Sequence, residues 1–335
     1  MNPSSSDDIA ALFSLARSAQ RRWQAIPILE RTRRLQKVGD RLLERLDALA
    51  ELIHDENGKP LVEAIAHAVG ASASKVRHLC KMAPRWLKPE KVCIKWMPNR
   101  VATIQRQPFG LVVVISPWNM PLTIPLGQVL AGLLAGNAVV LKPSEVTPTS
   151  GDALRDLFDE CDLHPHLFSV VQGDGAVGAQ LIAARPDKVF FTGSVATGKK
   201  VMAGAAAFPI PVCLELGGVD AMIVCDDADL DYATSAALWG ATFNGGQVCA
   251  SVERLLLHRS IRQPFVDLLL QKIGRLNVDT DLGRITMSGG VAEYIEGEKI
   301  EDLIERADAA LYTAKHNGRN QISAAPAPGQ KKATA

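Results

Sequence analysis

The residues that could do chemistry lie in a few short stretches. At 244–251 the chain reads NGGQVCAS, which sets Cys249 among residues too small to bury it. Glycine allows backbone conformations and close approaches that a side chain would forbid. The thiol is then either a small core filler, the common fate of a free cysteine, or a group presented for reaction. Other polar residues each follow an apolar run. Asn119 comes after VVVIS, Lys142 and Glu145 after AVVL, Thr192, Gly193 and Ser194 after KVFF, and Glu215 ends PVCLEL. One strand-end polar residue means little, because loops are polar, but several on one rim of one sheet make a candidate site.

The elements that must carry them follow from patterning. Residues 7–80 have helical periodicity with polar faces, broken at Asn57-Gly58-Lys59-Pro60. KVCIKWMPNRVATIQR at 91–106 alternates apolar and polar residues around Pro98-Asn99, the pattern of a hairpin. Strand and helix patterns then alternate. GLVVVIS precedes a helix over 126–135, AVVLK one near 151–161, LFSVV one near 176–184, and KVFFT one near 197–206, before PVCLEL. That order specifies an α/β fold with a parallel sheet and crossover helices. Ligands in such sheets sit at the carboxyl ends of the strands.

Two glycine motifs compete as a phosphate cradle. Gly173, Gly175 and Gly178 form a GxGxxG between a strand and a helix, but the next strand ends in Phe191-Thr192 and offers no acid for a ribose. A tight turn there is as good a reading as a cradle. FTGSVATGKK is the better candidate, with Gly193-Ser194 after a strand and Gly198 in the opening turn of a helix whose amides can face a pyrophosphate. A plain strand-to-helix turn remains the alternative.

Composition narrows the classes of function. A chain of 335 residues, 47% hydrophobic and 22% charged, is globular and long enough for two domains. Its net charge of +1 gives no field for nucleic acid, so a small-molecule partner is expected. No Asp, Glu, Lys or Arg occurs from Gln107 to Leu141, yet Pro117, Asn119, Pro121, Pro125, Gln128 and Asn137 interrupt that run, and no membrane span is expected. The start reads as a helix rather than a secretory signal, which implies a cytoplasmic protein. The six cysteines and seven histidines show no metal-ligand spacing, so no metal site is expected and the thiols are expected to be reduced.

Taken together, PWN at 117–119, KPSE at 142–145, FTGS at 191–194, ELGG at 215–218 and GQVCAS at 246–251 resemble, in order and spacing, the NAD(P)-dependent aldehyde dehydrogenases. ENGKPLVEA at 56–64 and the 91–106 hairpin look like that family's amino-terminal region. The resemblance covers residues 1–276 and implies a Rossmann-type sheet with N-terminal helices. It assigns 1–214 to an NAD-binding domain and 215–276 to part of a catalytic domain. It implies that Cys249 adds to an aldehyde, that Asn119 and the Cys249 amide hold the oxyanion, and that Glu215, its pKa raised by partial burial, activates the hydrolytic water. Lys142 and Glu145 would hold the adenosine ribose, with NAD favoured over NADP. Gly175, Gly193, Ser194 and Trp118 would line the cofactor channel, although core packing is an equal expectation for Trp118. An apolar aldehyde is the implied substrate.

Beyond 276 the pattern changes. DLGRITMSGGVAEYIEGEKIEDLIERADAALYTAKHNGRNQI at 281–322 resembles the end of a GGDEF diguanylate cyclase domain, with a strand, a hairpin-like gap and a helix. The loop that names that family is absent, so Lys315 and Arg319 are expected on a solvated helix face. The change falls at 277–281, and 323–335 has the composition of a disordered tail. The expectation is an incomplete catalytic domain. Late strands build dimers in the family, so homo-oligomer formation would be weakened here and turnover is in question, with a non-catalytic NAD-binding fragment as the alternative.

Overall fold

The computed structural model describes residues 6–93, 96, 99–277, 280, 289–292, 298–317 and 322–325. The chain divides into two compact units, one of Met1–Asn57 with Leu61–Leu216 and one of Gly58–Pro60 with Gly217–Ala335.

The first unit opens with helices α1 (Ser6–Gln24), α2 (Ile28–Glu44), α3 (Leu46–Asn57) and α4 (Leu61–Glu63), then a π-helical turn at Ala64–Gly70 and α5 (Ala71–Trp86). A hairpin of β1 (Glu90–Cys93) and β2 (Val101–Ile104) follows, antiparallel with Cys93 opposite Val101. The alternating unit comes next, in the order β3 (Leu111–Ile115), α6 (Thr123–Leu134), β4 (Ala138–Lys142), α7 (Pro148–Asp159), β5 (Phe168–Val170), α8 (Gly175–Ala183), β6 (Lys188–Gly193), α9 (Val195–Ala206) and β7 (Val212–Leu216). These strands form one parallel sheet in the order β5-β4-β3-β6-β7.

The central strands β3 and β4 are buried along their whole length. Covered on both faces, they carry apolar sequence without alternation, up to Lys142 at the end of β4. Helices α1 and α6 pack on this pair. The approach of α6 is close enough that a Cβ on Gly132 would lie 2.8 Å from Cγ2 of Val139. Trp23 of α1 is buried and donates its indole N–H to the Leu133 carbonyl at 2.7 Å, so the polar end of a large core aromatic is satisfied where α6 ends. Gly136 turns the chain out of α6 at φ +95°, and Gln20 donates to its carbonyl at 2.9 Å. At the same, amino-terminal rim of the sheet, Asp187 accepts from the Leu111 amide at 2.6 Å and from the Arg17 guanidinium, which ties α1 to the start of β3.

The second unit holds β8 (Asp220–Val224), α10 (Leu230–Thr242), β9 (Val252–Leu257) and α11 (Arg262–Ile273). Strands β8 and β9 run parallel and shift register between Asp220 and Ala221. A small core of Val224, Ala233, Ala237, Ile261 and Phe265 joins the strands to the two helices. Asp229 caps α10 by accepting from the amides of Asp231 and Tyr232, at 2.9 and 3.1 Å. Beyond it lie β10 (Gly289–Val291), α12 (Ile300–His316) and β11 (Ile322–Ala324), with β10 and β11 paired in parallel. The expected strand of the tail is described only in its GGV portion, and the side chain of Lys315 and all of Arg319 lie outside the described residues.

Candidate active site

In the first unit the parallel register brings the expected residues to one rim. Lys142 lies opposite Ile115, which in turn lies opposite Phe191, and one step further Thr192 faces Glu215 and Gly193 faces Leu216. Asn119 sits in the turn between β3 and α6, and Ser194 between β6 and α9. All of them stand at the carboxyl ends of parallel strands, where this kind of sheet receives ligands.

Lys142 is buried, and its Nζ reaches Oε2 of Glu145 at 2.9 Å, while more than half of the Glu145 side chain is exposed, at 57%. That hydrogen bond is the main reason the Glu145 carboxyl is held below the usual carboxylate range. An anion faces solvent on a buried ammonium. Gly178 of α8 lies beside the Lys142 stem, since a Cβ there would be 4.0 Å from Cδ of Lys142.

The two glycine motifs separate. At the first, Asp174 caps α8 and accepts from the amides of Ala176 and Val177, at 2.9 and 3.4 Å, so a carboxylate already occupies the place a phosphate would need. This favours the turn over the cradle. A Cβ on Gly175 would meet nothing within 4 Å, so its surface is open to a ligand. At the second, Ser194 caps α9 with a 3.2 Å hydrogen bond from the Thr197 amide. The glycines there are required by packing, because a Cβ on Gly193 would lie 2.7 Å from Cζ of Phe191, and one on Gly198 would lie 2.6 Å from Cδ2 of Leu216.

Two expectations are corrected. Glu215 is exposed at the end of β7, so the partial burial expected for it is absent. Strand-end side chains are covered only by what packs over the rim, which the PVCLEL pattern does not encode. Trp118 is 41% exposed, which removes core packing as its role and leaves the ring on the rim.

Sequence reasoning missed three residues. Asn57, buried at the end of α3, donates from Nδ2 to the carbonyls of Trp118 and Asn119, at 3.0 and 3.1 Å. Its neighbour Glu56 accepts from the Thr149 amide, the Ser150 amide and the Ser150 hydroxyl, at 2.6, 3.0 and 2.6 Å, and so caps α7 from outside. Gln128 of α6 donates to Thr192 Oγ1 at 3.1 Å. The signals near the first two were a helix-end pattern and the family likeness of ENGKPLVEA, and neither pointed to these contacts.

Cys249 belongs to the second unit and is exposed, in a turn just before β9. Three successive residues, Asn244, Gly245 and Gly246, take left-handed backbone at φ 57°, 65° and 75°. Glycine does this without steric cost, and asparagine at less cost than most residues. Asn244 Nδ2 donates to the Gln247 carbonyl and Gln247 Nε2 donates to the Asn244 carbonyl, both at 3.0 Å, which closes the turn on itself. The Gly218 amide donates to the Cys249 carbonyl at 3.2 Å, and Ser251 Oγ donates to the Gly240 carbonyl at 3.2 Å. The thiol is therefore presented by its turn rather than used as core filler. Cys80 and Cys161 show the other outcome, since burial pushes each thiol up to about 11. Among the described residues no group of His, Cys, Asp and Glu could hold a metal ion.

A family model described as "Aldehyde dehydrogenase family" matches residues 1–330. The 4,4'-diapolycopene aldehyde oxidase of Methylomonas sp. is 45% identical over 268 residues, which are 79% of this chain and 51% of that protein. The NAD-dependent aldehyde dehydrogenase of Sinorhizobium meliloti superposes with a TM-score of 0.78 at 35% identity, over 83% of this chain and 55% of its own. PnpE of Pseudomonas sp. WBC-3 superposes with a TM-score of 0.78 at 30% identity, over 83% of this chain and 58% of its own. The chain thus spans about half the length of the curated relative it matches. With the motifs on one strand rim, an exposed thiol in a glycine turn and a family match over nearly the whole sequence, the chain belongs to the aldehyde dehydrogenase family.

Proposed function

We propose that the protein oxidises an aldehyde to a carboxylic acid with NAD. The observation that carries this reading is the exposed Cys249 thiol in its closed, left-handed turn. The first unit acts as the NAD-binding domain, the second begins the catalytic domain, and Cys249, Asn119 and Glu215 are the catalytic residues. The thiolate of Cys249 adds to the carbonyl carbon, and the Asn119 side-chain amide with the Cys249 backbone N–H stabilises the oxyanion. NAD, when bound, supplies the acceptor for the aldehyde's hydride. Glu215 then takes a proton from the water that cleaves the thioester and frees the acid.

The residues present fit the dinucleotide. Lys142 and Glu145 offer a cation and an anion to ribose hydroxyls, Gly175 gives an open surface, and Gly193, Ser194 and Trp118 lie along the same rim. The ionised Glu145 repels a ribose phosphate, which supports NAD over NADP. An apolar aldehyde is supported by the relative named for diapolycopene aldehyde.

Association of copies is supported by the hairpin, where Val92, Trp96, Val101 and Ile104 are exposed. No helix among the described residues is long and apolar enough to cross a membrane. The likeness of 281–322 to the end of a GGDEF domain rests on its residues alone. A helix over Ile300–His316 agrees with it, but the aldehyde dehydrogenase match runs across the segment to residue 330. GTP is expected to yield no cyclic dinucleotide.

The test combines NAD titration with reduced-nicotinamide absorbance on apolar aldehydes. Binding with turnover supports the assignment, and binding without turnover marks a non-catalytic NAD-binding fragment.

A further inference from the structure

We infer that Asn57 is a positioning residue for the Pro117–Asn119 turn, setting the direction from which the Asn119 side chain meets the oxyanion. The inference rests on the aldehyde-oxidising reading above and deepens it.

Beyond Ser116, whose amide donates to the Lys142 carbonyl at 3.1 Å, the segment between β3 and α6 has no ladder to fix it, since β3 ends at Ile115 and α6 begins at Thr123. Its backbone must therefore find partners elsewhere. Asn57 supplies them from 61 and 62 residues away, with Nδ2 shared by two consecutive carbonyls. A donor gripping the carbonyls on both sides of the Asn119 nitrogen and α-carbon restricts rotation of that residue's backbone. It thereby restricts the direction of its Cα–Cβ bond. Asn57 is itself 8% exposed at the last position of α3, so its own conformation is held by packing. An oxyanion donor works by being in place before charge develops, and a shift of about 1 Å can cost roughly 100-fold in rate. The positioning duty belongs to a helix end far away in sequence and does not touch the substrate.

Asn57→Asp tests this in the full chain, because it keeps the side chain's shape and replaces the donor with an oxygen facing two carbonyls. Asn57→Ser, which is too short to reach both carbonyls and carries no charge, guards against a variant that fails to fold. The expected result is a lowered but still cooperative melting transition, because two carbonyls lose their donor, amide hydrogen exchange in residues 116–121 faster by on the order of 10-fold, and kcat about 10- to 100-fold lower with KM for NAD unchanged. In Asn57→Asp the ratio of variant to parent kcat rises as pH falls, because a protonated carboxyl can donate to one carbonyl. Exchange as slow as the parent's in both variants overturns the inference, as does a fall in kcat matched by an equal loss of NAD binding. If the parent oxidises no aldehyde, the functional reading fails, while faster exchange in the variants still supports the hold of Asn57 on the turn.

Discussion

Nζ of Lys142 lies 2.9 Å from Oε2 of Glu145 at the end of β4, with the ammonium buried and the carboxylate turned to solvent. Two unlike charges about 4 Å apart interact by roughly 1 to 4 kcal/mol between water and a protein surface, and two like charges repel as strongly. A second phosphate on the ribose would meet that repulsion. Glu145→Gln should therefore raise the NADP-to-NAD ratio of kcat/KM by about 10-fold, measured by reduced-nicotinamide absorbance. Because Lys142 lowers the Glu145 pKa, the carboxylate and its NAD preference are present at and above the ordinary carboxylate range. Both are lost only as pH falls through the lowered value.

Cys249→Ala should abolish aldehyde oxidation and leave the dissociation constant for NAD unchanged. A coloured thiol reagent applied to the folded protein near neutral pH should modify Cys249 and spare Cys80 and Cys161, whose thiols stay protonated in the core. Mass spectrometry of the labelled peptides checks the second point.

The same buried thiols predict an alkaline weakness. In the unfolded chain they ionise near their ordinary value, whereas folding pushes each up to about 11. Between those values the unfolded state has lost protons that the folded state keeps, so stability falls as pH rises through this window and is untouched below it. The loss should be about 2–3 kcal/mol per thiol at most. Cys80→Ala with Cys161→Ala should flatten the slope of urea midpoint against pH.

Gly198→Ala brings a Cβ to within 2.6 Å of Cδ2 of Leu216 and must push β7 and α9 apart or displace the leucine. A stability loss of about 1–3 kcal/mol is expected, with weaker NAD binding because α9 opens the candidate pyrophosphate site. Thermal melting and NAD titration read the two effects separately.

Trp23→Ala removes a fully buried ring and the partner of the Leu133 carbonyl. A loss of about 3–5 kcal/mol is expected, read as a lowered urea midpoint.

Much of this architecture was legible in residue order. Strands β3 and β4 announced themselves as apolar runs without alternation because both faces are covered, and the hairpin showed its alternation around Pro98-Asn99. The strand-end positions of Asn119, Lys142 and Glu215 followed from that alternation of strand and helix. What stayed hidden depends on contacts between distant segments. No local pattern tells that Asn57 reaches the carbonyls of residues 118 and 119, or that Glu56 serves Thr149 and Ser150. The exposure of Glu215 and the capping use of Asp174 are likewise settled by what surrounds them in space. The π-helical turn at Ala64–Gly70 is equally unmarked, since AVG and AIA suit an ordinary helix.

Glu56 and Asn57 occupy adjacent steps of α3, and each grips a different segment of the rim, the first turn of α7 and the turn before α6. An α-helix advances about 100° per residue, so one residue inserted or deleted within α3 would swing both grips away together. The phase of this helix is therefore a gauge that keeps a turn and a helix start in step, and evolution can lengthen the surface turns around it far more freely than it can change the count of residues inside it.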